Sequence, residues 1–125
     1  MGGGHAVEVA WDLSFDGVVG SVVEAVPELR EALAEHVRDN DEVLQHVFFG
    51  CDLVPFVVAA WKQGDTELVG RCLEVLEAAM ASPDPRTREL VSVSFVEQVG
   101  PWDPDVKPFV ATWPAALAAE AALYG

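Results

Sequence analysis

TELVGRCLEVLEAAMAS, residues 66–82, decides how the rest of the chain is read. Leu68, Cys72, Leu76 and Ala79 recur every three or four residues, with Val69, Leu73 and Met80 beside them. Glu67, Arg71, Glu74 and Glu77 fall on the polar side, so one face of a helix is apolar and the other wetted. Upstream, Leu53, Phe56, Val57, Ala60 and Trp61 form a second helical pattern, and only Gly64-Asp65 separates the two. So short a turn makes them an antiparallel pair. Asp52 is placed to cap the earlier helix, with Pro55 tolerated in its first turn.

The same logic extends in both directions. Ser82-Pro83 is expected to open a helix reaching Val99, with Ser82 as its cap. Leu90, Val91, Val93, Phe95, Val96 and Val99 go most of the way round it, so it should be more central than its neighbours. Gly100-Pro101 ends it, a short helix follows from Asp103 or Pro104 through Val110, and Trp113-Pro114 leads into alanine-rich PAALAAEAALY. Toward the N-terminus, Pro27 to Asn40 reads as a helix with Leu29, Leu33, His36 and Val37 on one side. Before it, Ser14 or Asp16 can cap a helix running to about Ala25. Asp41 to Gly50 is ambiguous between a short helix with a turn and a buried irregular segment, and Gly50 offers a stop either way. Residues 1–13 are expected to form a flexible or extended arm, since one alternating stretch at AVEVAWDL has no strand to pair with. Residues 14–125 then make one all-α domain, an irregular helical bundle or a short HEAT-like stack of antiparallel helix pairs.

Charge limits the partners. Seven Lys and Arg stand against twenty-one Asp and Glu, for a formal charge of −14. Phosphate backbones and anionic membranes are repelled by such a surface, so neither nucleic acid nor membrane is expected as a partner. A basic protein is the partner that this field attracts. Cys51 and Cys72 belong to no CxxC pair, and no signal peptide or long apolar span is present, so a cytoplasmic protein is expected.

Few residues invite chemistry. Glu97, in SFVEQVG (94–100), lies near the azimuth of Leu90 and Val93, and a partly buried carboxylate there needs a hydrogen bond or a cation. No second carboxylate is fixed beside it, so paired-acid catalysis does not follow. His36, Asp41 and His46 could ligate a metal, but their spacing matches no helical metal motif. Cys51 precedes an expected helix start and Cys72 lies on the apolar face of its helix, neither with a base fixed beside it. The glycines form no nucleotide-binding loop, and no cofactor is expected. Trp61, Trp102 and Trp113 could anchor an interface.

HVFFGCDLVPFV (46–57) and LEVLEAAMASPDPRTRELVSVSFVEQV (73–99) resemble a family of small, mostly uncharacterised bacterial helical proteins. Its members have a glycine, aspartate and leucine turn and a late SFVE-like segment. Such acidic helical domains also resemble immunity proteins of polymorphic toxin systems. The resemblance spans roughly residues 21 to 110 and is carried by Gly50, Asp52, Leu53, Ser94, Phe95 and Glu97. It implies Gly50 at a turn, Asp52 as a cap, Phe95 as a core anchor and Glu97 as a charged link between helices or toward a partner. No catalytic assignment comes with it. The expected function is therefore a protein-binding module with Glu97, Asp52, Trp61 and Trp102 as partner or structural polar sites, in its sharpest form a toxin-neutralising immunity protein. The alternatives are a small enzyme using Glu97 in a pocket and a homo-oligomeric structural module.

Overall fold

The computed structural model describes residues 11–125, in which every regular element is helical. The arm expected over residues 1–13 therefore falls mostly outside the described residues; Trp11 and Leu13 pack partly buried against the core. Helix α1 is Val18–Ala25. A turn of 3₁₀-helix, Pro27–Leu29, leads into α2, Arg30–Asn40. Helix α3 runs without a break over 45–62 as Gln45–Phe48, Phe49–Leu53 and Val54–Lys62. Helix α4 is Thr66–Met80. Helix α5 covers 85–99 as Pro85–Val91, Ser92–Val96 and Glu97–Val99. Short α6, Lys107–Val110, and α7, Ala115–Ala122, complete the fold.

The hairpin read from residues 52–82 is present. Gly64, at φ 80°, makes the reversal that a Cβ would strain, and Asp65 caps α4 by accepting from the Leu68 N–H at 3.2 Å. Helix α4 buries Leu68, Val69, Cys72, Leu73, Val75, Leu76 and Ala79. It packs against α1, α3, α5 and α7. It is the hub, although α5 buries just as continuous a set and was expected to be the more central. Burial holds the Cys72 thiol neutral, its pKa pushed up to about 12. An aromatic row joins the layers, with Trp61 stacked on Phe109 at 5.2 Å, Phe109 edge-on to Trp113 at 5.5 Å, and Trp113 against Phe95 at 5.5 Å.

Two expected caps are corrected. Asp52 caps nothing, because the helix does not start there: Gly50 and Asp52 lie inside α3. Helix α5 is capped by Asp84, whose carboxylate accepts from the Arg86 N–H at 3.0 Å, with Pro85 in the first turn. Ser82 instead donates to the Leu13 carbonyl at 2.8 Å, while Asp84 also accepts from the Phe15 N–H at 2.9 Å. These bonds fasten the chain entering α1 to the start of α5. The Arg86 guanidinium, followed by the Phe15 N–H, holds the Asp84 carboxyl down at about 2.

Two further polar anchors hold the helices in place. Arg71 on α4 binds both carboxylate oxygens of Glu28 at 3.1 and 2.8 Å, both of Glu67 at 2.8 and 3.0 Å, and the Ala25 carbonyl at 2.9 Å. A guanidinium presents five N–H donors, and this geometry uses all of them. Its bonds to Glu28 hold that carboxyl down at about 2. Glu77 reaches from α4 to the start of α7, accepting from the Ala116 N–H at 2.8 Å and the Leu117 N–H at 3.0 Å. Helix α7 has no side-chain cap of its own, so Glu77 caps it from a distance.

Candidate functional site

Helices α3 and α5 each contain a five-residue stretch of π-helix, Phe49–Leu53 and Ser92–Val96, and the two stretches pack against each other. In each, an N–H reaches five residues back, Val54 to the Phe49 carbonyl and Glu97 to the Ser92 carbonyl. The inserted residue rotates the helix face that follows. In α5 the residues buried within this stretch are Ser94, Phe95 and Val96. In α3 the bonding register returns to normal beside Pro55, which has no N–H to place.

His46 faces Ser94, and a Cβ on Gly50 would lie 3.8 Å from Gln98 Cγ and 3.9 Å from the Ser94 carbonyl oxygen. Contacts that advance together from 46 with 94 to 50 with 98 mean that the helices run in the same direction here. Gly50 is thus a crossing point between helices, with room for a methyl group, and not a turn.

The polar groups at this crossing form two pairs. Ser94 Oγ lies 2.6 Å from His46 Nδ1, with Phe15 6.0 Å from the imidazole, centroid to centroid. Asp52 Oδ2 lies 4.0 Å from Nδ1 of buried His36, whose Nε2 accepts from the Leu44 N–H at 2.9 Å. That acceptor role puts the ring proton of a neutral imidazole on Nδ1, the side of Asp52. The His36 ring also packs edge-on to Phe48 at 5.6 Å. His36 is the single fully buried residue of α2, and with Ala32 and Leu33 partly buried against the core this imidazole pegs the helix to α3.

A Ser–His contact invites comparison with acyl transfer, but Ser94 is buried inside a continuous helix. The N–H groups around it are spent on helix carbonyls, leaving no free pair to hold an oxyanion. The contact gives the buried Ser94 hydroxyl a hydrogen-bond partner. His36, Asp41 and His46 do not converge, and no group of three metal-binding side chains occurs among the described residues. Cys51 is exposed and Cys72 buried, and both are free thiols.

Glu97 is half-buried just after the π-helical stretch of α5. Among the described residues its carboxylate enters no ion pair, so the link between helices that the resemblance implied is not made through one. Val93, one turn before it, is 37 % exposed, and Val47 on α3 is 43 % exposed. Of the other candidates, Trp102 is 53 % exposed, Trp113 is buried, and Trp61 is half-buried against Phe109. A polar cluster without any signal in the sequence joins α5 to α7, where Ser92 Oγ donates to Glu120 and lies 2.8 Å from the Tyr124 hydroxyl.

No helix among the described residues is long and apolar enough to cross a membrane. No curated protein and no solved structure matches the chain. A family model described as a domain of unknown function, DUF7674, matches residues 19–121, which include both π-helical stretches, the His36 peg and the Glu77 cap. Matched over most of its length, the chain belongs to the DUF7674 family.

Proposed function

We propose that this chain is a protein-binding module that attracts a basic partner through an acidic face built on α2, and that in its most specific form it neutralises a toxin as an immunity protein does. The observation that carries this reading is the side of α2 turned to solvent. Glu31, Glu35 and Asp39, then Asp41 and Glu42, are all exposed, opposed only by Arg30 and Arg38. None of those five carboxylates enters an ion pair among the described residues. In a chain of net charge −14, such a face draws in positive surfaces and repels negative ones. Val37, on the other side of α2 from Glu35 and Asp39, and Val47 on α3 also stay in solvent. Glu97 beside Val93 offers a smaller combination of acidic and apolar groups. Two unpaired thiols suit an encounter in the cytoplasm.

The test compares the wild-type protein with an E31K/E35K/D39K variant as immobilised bait, at low and at raised salt. All three positions are exposed, so the fold is expected to survive, which circular dichroism checks. A specific basic protein retained by the wild type and lost by the variant is the expected result. Retention of no specific protein, or equal retention by both baits, contradicts the proposal.

A further inference from the structure

Beside the α3–α4 turn lies a cleft of about 260 Å³ lined by Trp61, Thr66, Val69, Gly70, Leu73 and Thr112. Three properties mark it as a receptor for a side chain. One wall is an indole held in position by stacking on Phe109 at 5.2 Å and 26°, so it needs no ordering when something lands on it. Gly70 sits in the middle of α4, where glycine weakens a helix, yet a Cβ placed there meets nothing within 4 Å. No internal packing demands that glycine; what it does is leave the backbone bare in the cleft lining. The volume also falls below the roughly 300–1,000 Å³ of small-molecule sites and suits one large side chain.

We propose that this cleft is the anchor pocket of the binding module, receiving one aromatic side chain from a basic protein surface. The inference rests on the binding reading above and locates its specific contact at Trp61, not at the more exposed Trp102. Charge selects the flanks of the incoming residue. Exposed Glu74 is one turn from Gly70 on the same helix face and exposed Asp65 adjoins Thr66, against the one exposed cation beside the lining, Lys62 next to Trp61, so the balance around the cleft is acidic and lysines beside the aromatic ring are favoured. Val69 and Leu73 give the ring apolar contact, and the threonine hydroxyls at the rim suit a polar tip such as that of Trp or Tyr.

The probes are the peptides Lys-Lys-Trp-Lys-Lys and Lys-Lys-Ala-Lys-Lys, titrated into the full chain and followed by amide and indole shifts in NMR. The tryptophan peptide is expected to shift Trp61, Gly70 and Thr112 and to bind at least tenfold more tightly than the alanine peptide. Trp61→Ala risks the fold through Phe109, so the pocket is closed with Gly70→Leu. That variant should melt no lower than the wild type and lose the tryptophan preference at least tenfold. Equal binding of the two peptides overturns the pocket while leaving an acidic attraction intact; absence of binding by either peptide counts against both the pocket and the binding reading. A folded G70L protein that keeps the preference also overturns the pocket.

Discussion

Replacing Glu77 tests how the C-terminal helix is held. Its two oxygens accept the Ala116 and Leu117 N–H groups at 2.8 and 3.0 Å, and α7 has no cap of its own. A hydrogen bond to a charged acceptor is worth about 1.5–3 kcal/mol, and leaving partly buried donors unmatched costs a similar amount. The carboxylate also favours the positive end of the helix dipole by about 0.3–1 kcal/mol. These overlapping contributions put Glu77→Ala at about 2–4 kcal/mol, which for a domain of this size lowers the melting temperature by roughly 10 °C. Glu77→Gln keeps one acceptor oxygen and loses the charge, so it should fall about midway. Thermal denaturation measures the cost, and hydrogen exchange at the amides of residues 116 and 117 shows where it arises. An E77A protein that melts within about 2 °C of the wild type, or that keeps those amides protected, refutes the distant cap.

Acid should weaken the fold through Glu28 and Asp84, both held at about 2 against ordinary values of 4.5 and 3.8. Because these folded-state values are depressed, their stabilisation is complete above the ordinary values and is lost as pH falls toward 2. Melting temperature against pH should drop across that window, and Arg71→Met should flatten the part due to Glu28. His36→Ala removes the acceptor of the Leu44 N–H and the ring packed on Phe48; it should cost about 2–4 kcal/mol and speed hydrogen exchange along α2 before any other helix. Unchanged exchange along α2 would show that His36 is not its peg. With an aromatic disulfide reagent, exposed Cys51 should react in the native protein and Cys72 only on unfolding, and rapid titration of both thiols would contradict the burial of Cys72.

What the sequence discloses depends on how local the cause is. The α3–α4 hairpin is legible because Gly64, Asp65 and the apolar stripe of α4 act within a few residues of one another. The π-helical stretches are not legible as such, since one inserted residue only blurs a period over five positions. They leave a trace nonetheless. The apolar residues that go round 90–99 are how such an insertion looks in one dimension, and Asp52 passes for a cap although the helix continues through it. Contacts between distant residues leave no trace at all. Glu77 is 39 residues from the N–H of Ala116, and Arg71 is 43 from Glu28, so both read as parts of a wetted face. Trp61 could be named as an anchor from its type alone, but the unfilled space over Gly70 belongs to the fold.

The acidic face of α2 is most directly tested by the rate at which a captured basic partner associates with it. Steering by charge predicts a rate constant that falls steeply with added salt and drops at least about tenfold in the E31K/E35K/D39K protein, with dissociation much less affected. An association rate indifferent to both salt and charge reversal would contradict the proposal that this surface brings the partner in.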